Sequence, residues 1–319
     1  MPERNFLPIL FLGAGIMGAP MARNLHVAGF PVRVWNRTRS KLDILAASGV
    51  PVAEDLSTLA TERRVVIAML FDGQAVEDVL FEGDRHGVRL LDRMAPGSSL
   101  ICMSSIPVDT ACSHDERCRA HGIHYIDAPV SGGEQAAIAG SLSIMTGGDL
   151  EAVDAMGPLF EAMGTTITHI GGAGCGQLAK LANQMIVGVT IGAVAEALLL
   201  AKEKGADLPA VRQALLGGFA RSEVLKQHGA RMIDRDFTPG AHSVTQLKDL
   251  RAAGSLARSL HLDLPIASMV EHLFEELCEG GRGALDHSAL YLLLEDRKMD
   301  ERPANAMPLR QREDANEAG

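Results

Sequence analysis

The apolar run Ile9-Leu10-Phe11-Leu12 ends directly on the turn Gly13-Ala14-Gly15-Ile16-Met17-Gly18. Residues 17–28 then carry helical spacing, and 31–35 form a second β-type run. A strand, a glycine turn, a helix and a second strand make a βαβ unit, whose right-handed crossover requires parallel strands. Each glycine has a separate job in such a turn. Gly13 permits the tight bend, Gly15 lets the backbone approach a pyrophosphate, and Gly18 lets helix and strand pack closely. With Ala14, Ile16 and Met17 they form the wall of a dinucleotide site, since a helix N-terminus offers free N–H groups to phosphates. By itself the motif is also compatible with a purely structural turn.

The alternation continues, with strands at 65–70, 99–103, 124–127, 141–146 and 166–170 and helices at 74–81 and 109–121. After the cluster Gly171-Gly172-Ala173-Gly174-Cys175-Gly176, read as a hinge, the pattern becomes helical. One helix is expected over 177–204, about 40 Å long, followed by helices at 207–217, 221–234, 241–260, 265–280 and 287–297. This predicts an α/β fold: a doubly wound, mostly parallel N-terminal Rossmann domain over 1–172 and an all-α C-terminal domain over 173–302, joined by a long interdomain helix. Residues 303–319 are polar with mixed charge and read as a disordered tail.

The end of the second strand selects the cofactor. Enzymes for NAD usually place Asp or Glu there for the ribose hydroxyls. Here the residues are Asn36-Arg37-Thr38. The Arg37 guanidinium suits a 2′-phosphate and Thr38 adds a hydroxyl, so NADP(H) is preferred, with NAD(H) possible. A net charge of −10 provides no basic face, which sets nucleic acid aside. No apolar run is expected to reach the length of a membrane span, and no signal sequence is visible, so a cytoplasmic protein without membrane attachment is expected. The five cysteines are scattered and read as free thiols. The eleven histidines are scattered too, and no His/Cys/Asp cluster that would hold a metal is visible.

Two further segments carry chemistry. Ser131-Gly132-Gly133 follows a strand and exposes backbone N–H groups; it is either a nest for a small carboxylate or an ordinary loop. Lys180 and Asn183 lie three apart on one helical face, among apolar neighbours. Lys180 either snorkels to solvent or stands beside a substrate. The apolar character of its helix suggests a homodimer or homotetramer.

Together these segments resemble the β-hydroxyacid dehydrogenases. The stretch from Phe11 to Asn24 resembles their N-terminal signature. The loop 127–133, the run 140–145, the pattern Gly174-x-Gly176-x-x-x-Lys180-x-x-Asn183 and Lys248-Asp249-Leu250 resemble their later motifs, so the likeness spans about 9–297. It implies a small carboxylate-bearing aldehyde or hydroxyacid as substrate. It also implies Lys180 as general acid/base, a substrate carboxylate on Ser131, Gly132 and Gly133, and Asn183 positioning the substrate. Ser105 would stand near the nicotinamide, Lys248 would close over the cofactor, and Leu70 and Phe71 would flank it, with no metal required. Phe71 departs from the family, which usually has Pro there.

Overall fold

The computed structural model describes residues 7–56, 62, 64–83 and 89–297. The expected tail at 303–319 lies outside the described residues. The chain forms two compact units. Among the described residues, the first takes in those up to Gly188 and also Thr245–Ser268; the second comprises Val189–Val244 and those from Met269 onward.

In chain order, the first unit opens with β1 (Ile9–Leu12), α1 (Gly18–Val27), β2 (Val32–Trp35), α2 (Ser40–Ala47), β3 (Val65–Ala68) and α3 (Gly73–Glu77). It continues with β4 (Ser99–Cys102), α4 (Val108–Ala120), β5 (His124–Asp127), β6 (Val130–Ser131), α5 (Gly133–Ala139) and β7 (Leu142–Gly148). After α6 (Leu150–Ala155), α7 (Gly157–Glu161) and β8 (Gly164–Gly171) comes the helix α8 (Cys175–Glu203).

Strands β1, β3 and β4 are buried throughout and, apart from Ser99 at the start of β4, apolar, as expected of parallel strands covered on both faces. Alternate residues enter two separate cores. Ile9, Phe11, Val65, Ile67 and Ile101 join one, and Leu10, Leu12, Val66, Ala68 and Leu100 join the other. The strand order is β2-β1-β3-β4-β5-β7-β6, with β8 on β7. The pairs from β2 to β5 are all parallel; β7 runs antiparallel to β5 and β6 and parallel to β8.

Because β1 has β2 on one side and β3 on the other, the chain reverses direction across the sheet there. Such a switch point opens a crevice beyond the strands' carboxyl ends. Gly13, leaving β1, and Met69 and Leu70, leaving β3, line that point.

The second unit holds the latter part of α8, then α9 (Leu208–Leu216), α10 (Glu223–Asp234), the end of α12 (Pro265–Leu277) and α13 (Leu290–Asp296); most of the preceding helix α11 (Ser243–Ser259) belongs to the first unit. Its core contains Leu198, Leu225, Met232, Phe274 and Leu290, all buried. Glu295 on α13 receives both Lys202 and Arg235.

Helix α8 corrects one expectation. By length and composition it could cross a membrane, with a mean hydropathy of 1.9 over an 18-residue window. Glu196 alone interrupts the charge-free stretch 185–201, so counting unbroken apolar runs misses it. Only 33% of that window is buried inside the protein, and Ile186 and Leu200 are exposed.

Candidate active site

The glycine turn has the geometry that a dinucleotide needs. Gly13 has φ +108°, and a Cβ there would meet the Met69 carbonyl oxygen at 2.1 Å. A Cβ on Gly18 would meet the Gly13 carbonyl oxygen at 2.2 Å. Both glycines are therefore required by packing. A Cβ on Gly15 would meet nothing within 4 Å, so this residue borders open space where a diphosphate can approach. Helix α1 has no side-chain cap; Ala19 N–H donates to the Gly15 carbonyl and Met21 N–H to the Met17 carbonyl, and Pro20 carries no N–H, so the backbone donors for a phosphate lie ahead of Ala19. These residues fit the phosphates of a nicotinamide dinucleotide.

Asn36 braces this turn. Its Oδ1 accepts from Ala14 N–H (3.0 Å) and its Nδ2 donates to the Thr38 carbonyl (2.8 Å). Arg37 and Thr38 are exposed beyond β2. The nearby Arg39 is engaged by Glu54 at 2.7 Å, whereas no ion pair to Arg37 occurs among the described residues. After β3, Leu70 N–H donates to Ser104 Oγ (2.7 Å). Phe71 is 74% exposed, and Asp72 caps α3 by accepting from Ala75 N–H.

The start of α8 is set by a buried carboxylate. Asp127, at the end of β5, accepts from Gly174 N–H and Gln177 N–H, each at 2.8 Å. Burial pushes its pKa up, and these backbone donors oppose that rise. A Cβ on Gly147 or Gly176 would strike the same carboxylate at 2.6 and 2.8 Å. The glycine cluster read as a hinge is therefore a braced junction, with glycine needed for close approach. Gln177 adds a second brace. Its Nε2 donates to the Ser104 carbonyl (2.8 Å) and its Oε1 accepts from Ile106 N–H (3.1 Å), which holds Ser105 between two fixed backbone groups.

Lys180 follows less than one turn later. Its Nζ donates to Gln184 Oε1 (3.0 Å), and Asn183 Nδ2 donates to the same oxygen (2.9 Å). Gln184 Nε2 donates to Asp249 Oδ2 (2.7 Å). Asn183 Oδ1 accepts from Ser131 Oγ at 3.5 Å. Lys248 Nζ stands 3.4 Å from Asp249 Oδ1 and 3.4 Å from the Ser105 carbonyl. One chain of polar contacts thus runs Ser131–Asn183–Gln184–Lys180 and branches through Asp249 to Lys248 and Ser105. The snorkelling alternative fails, because the ammonium is turned into this network.

Burial lowers the Lys180 pKa to about 8; Asp249 pulls it up and Lys248 pushes it down. A lysine poised near neutrality can both give and take a proton.

Ser105, Lys180, Gln184, Lys248 and Asp249 line a cavity of about 680 Å³ within the first unit. Ser131 and Asn183 do not line it; they are tied to its wall by the hydrogen bonds that lead to Gln184. Gly132 and Gly133, with φ +134° and +67°, stand exposed at the start of α5. The far wall includes Glu77, His114 and Arg117, with His114 Nε2 2.7 Å from Glu77 Oε2.

The structure therefore joins five predicted residues: Lys180, Asn183, Ser131, Ser105 and Lys248. It adds Gln184, Asp249, Gln177 and Asp127, which sequence reasoning did not single out. Gln184 carried one available signal, its i,i+4 spacing from Lys180.

Comparison with known proteins identifies relatives along nearly the whole chain. The family profile of the NAD-binding domain of 6-phosphogluconate dehydrogenase matches residues 8–171. That of the NAD-binding domain of NADP-dependent 3-hydroxyisobutyrate dehydrogenase matches residues 174–294. The chain is 42% identical to 2-hydroxy-3-oxopropionate reductase of Escherichia coli over 286 residues, covering 89% of this chain and 96% of that one. It is 34% identical to NAD-dependent L-serine dehydrogenase of Pseudomonas aeruginosa, covering 90% and 97%. Among solved structures, Mycobacterium tuberculosis 3-hydroxyisobutyrate dehydrogenase with L-serine is similar with a TM-score of 0.80, 31% identity and coverage of 91% and 99%.

Proposed function

The chain belongs to the 3-hydroxyisobutyrate dehydrogenase family of NAD(P)-dependent β-hydroxyacid dehydrogenases, and we propose that within it the protein uses NADPH to reduce tartronate semialdehyde (2-hydroxy-3-oxopropionate) to glycerate. The observation that carries this reading is the Lys180 ammonium, held by Gln184 on the wall of a cavity and tuned to a pKa of about 8. The similarity to the Escherichia coli reductase supports the choice of substrate.

In this reading the nicotinamide, when bound, supplies the hydride. The backbone N–H groups of Ser131, Gly132 and Gly133 receive the substrate carboxylate. Asn183 positions the substrate. As negative charge grows on the carbonyl oxygen, Lys180 stabilises it and then transfers its Nζ proton to that oxygen. Gln184 keeps the ammonium oriented, which preserves the reacting geometry between turnovers. The neutral amine then regains a proton from solvent. Arg37 and Thr38 receive the 2′-phosphate that distinguishes NADPH from NADH, and Lys248 closes over the cofactor.

A second reading, oxidation of 3-hydroxyisobutyrate or handling of another semialdehyde, is supported by the likeness to the Mycobacterium tuberculosis enzyme. A panel of small semialdehydes and hydroxyacids, assayed with NADPH and NADH, separates the two. The proposal requires the highest kcat/KM for tartronate semialdehyde with NADPH. A higher value for 3-hydroxyisobutyrate with NAD+ would replace it with the second reading. The exposed apolar residues of α8, Leu178, Ile186 and Leu200, support a homodimer or homotetramer, which light scattering on the purified protein would test.

A further inference from the structure

Two histidines that are 59 positions apart in sequence meet in the second unit. His228 lies on α10, and His287 opens the short turn His287–Ala289 ahead of α13. Their Nε2 atoms face each other at 3.1 Å, with the rings nearly perpendicular at 88°. The expectation that the histidines form no cluster is corrected here. The assembly depends on how α10 packs against that turn, which spacing along the chain does not reveal.

We propose that His228 and His287 bind a first-row divalent transition-metal ion, with Zn²⁺ the natural candidate, through these two nitrogens. Two nitrogens at about 2.0–2.1 Å from one tetrahedral zinc lie about 3.3 Å apart. The observed separation is close to that edge, so the pair needs only a small side-chain adjustment to receive an ion. The neighbouring Asp286 supplies the usual outer support. Its Oδ1 stands 3.6 Å from His228 Nδ1, and that nitrogen is buried without a hydrogen-bond partner. A carboxylate beside Nδ1 favours the proton there and leaves the Nε2 lone pair for a metal, as in carboxylate–histidine–zinc arrangements.

Asp286 itself is fully committed. Oδ1 accepts from Ser288 N–H (3.0 Å) and Ser288 Oγ (2.6 Å); Oδ2 accepts from Gly240 N–H (3.0 Å) and Ala241 N–H (3.2 Å). These four bonds occupy its lone-pair positions, so it does not ligate the metal and acts on His228 only through its charge at 3.6 Å. Arg231, at 3.8 Å from Oδ2, balances its charge on the side away from the imidazole. Asp286 and His287 are buried, whereas His228 is part-exposed, which gives water access to complete the coordination sphere. Imidazole donors suit zinc, cobalt, nickel or copper in preference to magnesium or calcium. None of these residues belongs to the network around Lys180.

The test is a titration of untagged, chelator-treated full-length protein with Co²⁺, read by visible absorption. The proposal expects saturable one-to-one binding with d–d bands that Zn²⁺ displaces and Mg²⁺ does not, and a Tm raised by Zn²⁺. His228→Ala and His287→Phe should each lower Co²⁺ affinity at least about tenfold while NADPH binding persists. His287 is buried, so if His287→Phe fails to fold, the part-exposed His228→Ala decides the matter. Absence of a stoichiometric Co²⁺ complex in the parent protein would overturn the proposal and leave the pair as a simple N–H···N hydrogen bond. Binding that persists unchanged in His228→Ala would overturn it equally.

Discussion

Replacing Asp249 by Asn perturbs the lysine without touching it. Burial drives the Lys180 pKa down, and the Asp249 carboxylate is the group that raises it again, giving a value of about 8. The two are linked through Gln184, with contacts of 3.0 and 2.7 Å. An opposite charge in such a position shifts a pKa by about 1–3 units; the intervening amide places this case at the low end. Asp249→Asn should therefore lower the Lys180 pKa by about 1 unit, or about 1.4 kcal/mol. Reduction needs the ammonium. At about pH 8 the protonated share falls from about one half to about one tenth, so the rate drops roughly fivefold. At about pH 6 both forms are protonated and the deficit should shrink. The assay is kcat/KM for aldehyde reduction against pH, which reports the free enzyme. The descending limb should move to lower pH in the variant. An unmoved limb, or a limb displaced upward, would refute the assignment of Asp249 as the charge that sustains Lys180.

Arg37→Ala should raise the Kd for NADPH about 10–100-fold, the worth of a charge-assisted hydrogen bond, with little change for NADH; equal losses for both cofactors would show that Arg37 does not read the 2′-phosphate. Gly15→Val projects a side chain into open space, so it should fold with near-normal Tm and bind cofactor poorly in a fluorescence titration. Gly13→Ala meets the Met69 carbonyl and should lower Tm or prevent folding. The pKa of Asp286 is held well below the usual carboxylate range: burial opposes this, and His228, His287 and Ser288 outweigh it. A depressed carboxyl pKa contributes stability that is complete above the unfolded value of about 3.9 and lost below it. Asp286→Asn should accordingly lower Tm at neutral pH and reduce the Tm difference from the parent on acidification, as followed by circular dichroism.

The Rossmann half was legible because its signals are local. The strands at 9–12 and 65–68 are unbroken apolar runs, and the turn 13–18 places glycine wherever backbone crowds backbone. Helices α2 and α6 are not legible in the same way, for different reasons. Helix α2 has no side-chain cap and so carries no start signal, whereas Asp149 does cap α6 and could have been read. The site was legible only in part. Lys180 and Asn183 share a visible helical spacing, but the meaning of Gln184 depends on Asp249, which is 65 positions away. In the sequence Asp127 only opens a glycine loop, yet its carboxylate anchors α8 by reaching residues about 50 positions later. Polar contacts between distant segments follow from packing, and packing is not written in any single window of sequence.

The proposed reaction rests on Lys180 as the proton donor, and single-turnover kinetics of Lys180→Ala with NADPH and tartronate semialdehyde test it most directly. The general-acid role predicts a loss of hydride-transfer rate of about 10²–10⁴-fold with NADPH still bound at near-parental Kd. Turnover close to that of the parent protein would contradict it.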